Sequence, residues 1–223
     1  MDLEAFSRSI GYRFTDAELL LRALTHRSYG TVHNERLEFL GDSVLNCAIA
    51  LELYRKFPNL SEGELSRLRA SIVSQPSLAL LAHTQGFGDY LRLGEGEVRS
   101  GGARRPSMLA DAVEAVIGAA FLDGGFESAQ GVVRALFGKV LAGIDPSTTG
   151  KDAKTLLQEY LQSRHLPLPR YSVIAIQGEA HEQLFQVECE ISDLDIRSQG
   201  EGLSRRSAEQ EAARAAYERA VGA

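Results

Sequence analysis

An all-α domain followed by an α-β-β-β-α domain is the fold class this sequence predicts, and three observations predict it. Well-punctuated helical patterns fill the first part, with no clear period-2 strand before residue 170. A stretch rich in Gly, Pro, Ser and Thr, "GIDPSTTGKD", then interrupts the chain. Beyond it, three strand-like pieces lie between two helical patterns. The expected boundaries are residues 1–144 for the helical domain, 145–151 for the linker and 152–223 for the second domain.

Each element has a local reason. In "TDAELLLRALTH", Thr15 as N-cap and Glu18 three residues later form a reciprocal capping pattern ahead of an apolar stripe. "SEGELSRLRASIVSQPSLALLAHTQG" has helical spacing interrupted at Pro76. "PSMLADAVEAVIGAAFLDGG" opens on Pro106 and Ser107 and ends on paired glycines. After the linker, "DAKTLLQEYLQSR" is a short amphipathic helix, followed by the proline-flanked break "HLPLPR". The strands are "YSVIAIQG", "QLFQVECEI" and "DIRSQGEG", and an alanine-rich helix opened by Ser204 closes the chain. That order packs two helices on one face of an antiparallel sheet.

Composition narrows the function classes. No apolar run approaches the roughly 18 residues of a membrane span, and the start lacks a signal-peptide layout. Two distant cysteines, Cys47 and Cys189, read as buried, reduced thiols of a cytoplasmic protein. The net charge of −6 divides equally, with 15 Lys and Arg against 18 Asp and Glu in residues 1–150 and 9 against 12 beyond. Any binding of nucleic acid must therefore come from local clusters, because a general basic field is absent.

Two groups of acids stand out. On a helix over "NERLEFLGDSVLN", Glu35, Glu38 and Asp42 fall within about 60° of one another, with Leu37, Leu40, Val44 and Ala48 opposite. A solvent-facing stripe is one reading. Gly41 complicates it, since a glycine inside a helix costs about 1 kcal/mol relative to alanine unless a close approach requires it. Asp111 and Glu114 are the only charges between Met108 and Leu122, a segment apolar nearly all round and so expected to be buried. There they form either a salt bridge, for example to Arg67 or Arg69, or part of a cation site. Both groups together would make an all-oxygen pocket suited to Mg²⁺ or Mn²⁺.

With these residues in view, the sequence resembles the ribonuclease III family, endonucleases of double-stranded RNA. "ERLEFLGDS" looks like its signature, and "LTHRSY", "SGGARRPSMLADAVEA" and "AVIGAAFLDGG" continue the resemblance in order. Residues 152–221 are similar to a double-stranded-RNA-binding domain. The resemblance implies Glu38, Asp111 and Glu114 as metal ligands, Asp42 and Glu114 as catalytic residues, and Glu35 and Glu62 as auxiliary acids. It implies a homodimer with the signature helix at its interface, beside which apolar Phe39 finds a reason. It further implies products with 5′-phosphate and 3′-hydroxyl ends and short 3′ overhangs, and a role in processing precursor ribosomal RNA and other structured transcripts. No organic cofactor and no membrane partner are expected.

A-form RNA is contacted through 2′-hydroxyls and phosphates across its minor grooves. Thr155, Gln158, Glu159 and Gln162 share one side of the first tail helix, and His181 sits in the loop between the first two strands. Ser204, Arg205 and Arg206 open the last helix, where exposed N–H groups favour an anion. Many such domains carry a further lysine where this chain has Ser207 or Glu209, so the isolated tail is expected to bind more weakly. A solvated helix end with Arg205 or Arg206 paired to Glu209 is the alternative, and for His181 an ordinary loop histidine.

Other chemistries fit poorly. The "GDS" of Gly41–Ser43 lacks both a preceding strand and an Asp-x-x-His partner for a serine esterase. A di-metal oxidase needs Glu-x-x-His pairs, which are absent. A non-cleaving regulator that binds double-stranded RNA remains the alternative function, and the intact acidic set argues against it.

Overall fold

The computed structural model describes residues 2–178 and 183–222. The chain folds as two compact units, Met1–Thr149 and Gly150–Ala223.

In the first unit the helices are α1 (Leu3–Ser9), α2 (Ala17–Ala23), α3 (Glu35–Lys56), α4 (Glu62–Ile72), α5 (Gln75–Thr84), α6 (Glu95–Arg99) and α7 (Pro106–Ala142). The N-cap of α2 is Asp16 and not Thr15. Asp16 accepts the Glu18 N–H at 2.9 Å, while the Thr15 and Asp16 N–H groups both donate to Asp123 on α7 at 2.8 Å. Tyr12 adds its hydroxyl to the same carboxylate. A distant acid thus moved the cap by one residue. The reciprocal cap occurs instead at α4, between Ser61 and Glu64. Pro76 lies in the first turn of α5, where its missing N–H costs nothing, and the break falls just before it. The paired glycines mark a kink rather than an end. Gly125 takes a φ of +77°, open to glycine, and the helical path resumes to Ala142.

The core of this unit lies between α3 and α7, with α2, α4 and α5 around them. Leu37, Leu45, Ile49 and Leu53 of α3 are buried in one core cluster with Ala112, Val113, Val116 and Ile117 of α7. Each such aliphatic side chain contributes roughly 1.5–3 kcal/mol by leaving water. Two glycines set the closeness of the crossing. A Cβ added at Gly41 would overlap the Glu114 carbonyl oxygen and stand 2.6 Å from its carbon and 2.9 Å from the Gly118 nitrogen. One added at Gly118 would run into the Leu37 carbonyl. Backbone therefore meets backbone at the point that carries the acids.

The second unit comprises α8 (Ala153–Ser163), β1 (Arg170–Gln177), β2 (Leu184–Ile191), β3 (Ile196–Gly202) and α9 (Arg205–Gly222). The sheet is antiparallel in the order β1-β2-β3. Leu157 and Leu161 of α8, Val187, Cys189 and Ile191 of β2, and Ala208, Ala212, Ala213 and Ala216 of α9 form its core. Alanines let α9 lie close to β3, where Gly200 leaves room for the Ala208 carbonyl and the Ala212 nitrogen.

Cys189 is buried as expected, but Cys47 is exposed on the outer face of α3; both are free thiols. No helix among the described residues is long and apolar enough to cross a membrane.

Candidate functional site

The α3–α7 crossing positions the acids. Glu38 lies one turn before Gly41 on α3, and Asp111 and Glu114 face it from the first turns of α7. One carboxylate oxygen from each of these three residues lies within 4.8 Å of the others. All three are half-buried. Among the described residues neither Asp111 nor Glu114 forms a salt bridge, so the pairing with Arg67 or Arg69 does not occur.

Such crowding has an electrostatic cost. Burial, then the charges of Asp42, Glu38 and Asp111, push the Glu114 carboxyl up to about 8. Burial and Asp111 likewise raise Glu38. Burial raises Asp111, with His26 and Arg27 opposing it. An oxygen-only set that resists ionisation in isolation is what a hard divalent cation would relieve, and its donors suit Mg²⁺ or Mn²⁺.

A pH dependence follows. Glu114 holds its proton more tightly in the folded chain than in the unfolded one. Its contribution to stability is full below about 4.5, declines as pH rises and is gone above about 8. With EDTA present, the melting temperature of the first unit should fall by roughly 5 °C between pH 5 and pH 8.5. Mg²⁺ should flatten that decline, as should Glu114→Gln. Differential scanning calorimetry checks it, and an equal slope in all three samples would remove Glu114 as the source.

The remaining acids are placed differently. Asp42 is exposed one turn beyond Glu38, outside the three-oxygen set, and its Oδ1 accepts from Asn46 at 2.9 Å. Glu35 pairs with Arg27 at 2.9 Å and lies 3.7 Å from the His33 ring. Glu62 stands exposed on α4, accepting the Ser66 hydroxyl at 2.8 Å, and does not join the set within this chain. Glu35, Glu38 and Asp111 line a cleft of about 550 Å³ together with His26, Arg27, Asn34, Glu97, Arg105 and Ser107. Sequence reasoning missed the basic members of this lining, Arg27 and Arg105, and the Glu97 beside them. Arg27 was visible inside "LTHRSY", but nothing local ties a loop residue to acids on two later helices.

In the second unit, Gln158, Glu159 and Gln162 are exposed on α8 and Thr155 is half-buried. Lys151 binds Glu159 at 2.6 Å. Ser204 caps α9, its Oγ accepting the Ser207 N–H at 3.1 Å. Arg205 is paired with Glu209 at 2.9 Å, and Lys154 of α8 reaches the other oxygen of the same carboxylate at 2.6 Å. Arg205 thus has a partner at the helix end, with its side chain still 64% exposed. Arg206 is exposed beside a cavity lined also by Lys151, Asp152 and Arg214. His181 lies outside the described residues.

Comparison with known proteins adds the following. A family model described as Ribonuclease-III-like matches residues 16–140, and one described as double-stranded RNA binding motif matches residues 153–219. The chain is 58% identical over 220 residues to Ribonuclease 3 of Ralstonia nicotianae, covering 99% of this chain and 86% of that protein. It is 59% identical over 209 residues to Ribonuclease 3 of Thiobacillus denitrificans, covering 94% and 92%. It also resembles the solved nuclease domain of ribonuclease III from Campylobacter jejuni, with a TM-score of 0.61 and 42% identity over 65% of this chain and 99% of that domain. A second structure of that domain, with a TM-score of 0.60 and 42% identity over 62% of this chain and 97% of that domain, is described by the flexibility of a region involved in dimer formation.

Proposed function

This chain belongs to the ribonuclease III family, with a nuclease domain followed by a double-stranded-RNA-binding motif, and on that premise we propose that it is a divalent-metal-dependent endoribonuclease acting on RNA duplexes. The observation that carries the reading is the convergence of Glu38, Asp111 and Glu114 at a crossing held close by glycine.

In this proposal Glu38, Asp111 and Glu114 hold the ion, Mg²⁺ with Mn²⁺ as substitute. When bound, it would offset phosphate charge and lower the pKa of water toward neutrality. Asp42 faces solvent beside the set, and its Oδ2, not engaged by Asn46, accepts the proton of the attacking water. Attack at phosphorus expels the 3′ oxygen, which takes a proton from solvent, leaving a 5′-phosphate and a 3′-hydroxyl. Glu35 and Glu62 act as auxiliary acids.

Two copies acting as a homodimer, one centre per strand, would give staggered cuts with short 3′ overhangs. Phe39, 80% exposed beside the acids, is suited to that interface. Precursor ribosomal RNA and other structured transcripts in the cytoplasm are the proposed substrates.

The second unit would grip the duplex through Thr155, Gln158, Glu159 and Gln162 on α8, His181, and Ser204, Arg205 and Arg206 at the α9 N-terminus. Replacing Arg205 and Arg206 together by alanine should weaken duplex binding about tenfold and reduce the salt slope by about 1–2. A filter-binding titration from low to high salt measures both, and an unchanged slope removes the arginines from the phosphate contacts.

Incubating the purified chain with a perfect RNA duplex in Mg²⁺ or EDTA tests the whole reading. Mg²⁺-dependent cuts with the stated ends are expected. Intact duplex in Mg²⁺ together with a gel shift would instead identify a non-cleaving regulator.

A further inference from the structure

We propose that Arg27 and Arg105 are contacts for backbone phosphates of the RNA near the linkage to be cut, an assignment that rests on the nuclease reading above. The argument is one of charge. Glu35, Glu38, Glu97 and Asp111 line the cleft, and Glu114 adds its carboxyl to the same set. A duplex brings one phosphate anion per nucleotide to that acidic wall. A divalent ion held at the Glu38–Asp111–Glu114 set would offset part of the repulsion, and cationic side chains in the cleft itself would offset more. Among the described lining residues the basic groups are His26, Arg27 and Arg105. The two guanidinium groups are charged at any working pH and match phosphate oxygens with paired N–H donors.

Both arginines are accessible and already oriented. Arg27 leaves its side chain 69% exposed and is steadied through Nη1 by Glu35 at 2.9 Å. Arg105 is 44% exposed, steadied through Nη1 by Glu97 at 3.0 Å and through Nη2 by the Ser100 hydroxyl at 3.2 Å. Each guanidinium has five N–H donors, so donors remain beyond those the protein engages. They come from separate places in the chain. Arg27 sits on the loop before α3, the helix of Glu38, and Arg105 immediately precedes α7, the helix of Asp111 and Glu114. The positive field of Arg27 is felt at both Glu38 and Asp111, which puts it within electrostatic reach of two of the three converging acids.

An ion pair that merely braces the fold would behave differently, and Glu97 separates the two cases. The experiment uses the full chain and a short perfect RNA duplex, with cleavage in Mg²⁺ and binding in EDTA across a salt series. Arg27→Ala and Arg105→Ala should each raise KM about tenfold, change kcat less, and lower the salt slope by about 1. Arg27→Lys and Arg105→Lys, which keep a point charge, should restore most of the slope and only part of the KM. Glu97→Gln should leave KM at or below the wild-type value, because it frees Arg105. A Glu97→Gln loss equal to that of Arg105→Ala would overturn the proposal, as would unchanged KM and slope in both alanine variants. If the wild-type chain itself fails to cut in Mg²⁺, the nuclease reading fails, a result distinct from either of these.

Discussion

Replacing Glu114 by alanine or glutamine should abolish duplex cleavage while leaving duplex binding in EDTA within about twofold of wild type. Glu114 sits where α7 meets Gly41, half-buried, with three other acids acting on its carboxyl. Removing it takes one of three oxygens from the converging set and with it several kcal/mol of transition-state stabilisation, on the order of a 10³-fold loss in rate. On the proposed reading, binding rests on other groups, chiefly in the second unit. Single-turnover cleavage and gel-shift titration, run on the same preparation, separate the two. Equal loss of both would mark the residue as a support of the fold.

The second large effect concerns stability. Gly41→Ala should destabilise the first unit by about 3–5 kcal/mol, because the added methyl has only rigid backbone to displace. Overlap with the Glu114 carbonyl forces α3 and α7 apart, and the acids separate with them. Cleavage should therefore fall even at temperatures where the variant stays folded. Gly131→Ala is the matching control, since a Cβ there meets nothing within 4 Å. It should gain up to about 1 kcal/mol from helix propensity. Urea unfolding of both variants decides the matter, and a wild-type midpoint for Gly41→Ala would mean that the two helices cross less tightly than described.

Both effects arise from residues whose oddity was legible in the sequence. A glycine inside a helical pattern, and carboxylates inside an apolar one, each contradict the local rule and so point to a partner. What that partner is cannot be read locally. The Glu114 carbonyl that fills the space at Gly41 lies more than seventy residues on, and only the packed helices bring it there. The α-β-β-β-α order, the strand pieces and the Ser204 cap were likewise readable, because periodicity and capping act over a few residues.

The failures share one cause as well. Asp16 replaced Thr15 as a cap because Asp123 claims the neighbouring N–H groups from across the unit. Cys47 reads as a core residue by type, yet it is exposed on α3, in a groove shared with Leu65 and Arg69 of α4. Arg27 and Arg105 escaped notice because their meaning depends on a cleft assembled from loops. In each case tertiary partners overrode a reasonable local inference.

The grip of Asp123 on Tyr12, Thr15 and Asp16 bears on how shortened versions should be designed. Trimming to the start of the nuclease family match, residue 16, looks economical but would delete two of those three partners along with Phe6 and Ile10, both fully enclosed. The Asp123 carboxylate would keep only the Asp16 N–H, and the space filled by Phe6 and Ile10 would stand open. Expression boundaries and fusion tags are better placed ahead of Asp2, leaving the whole leading segment in its seat.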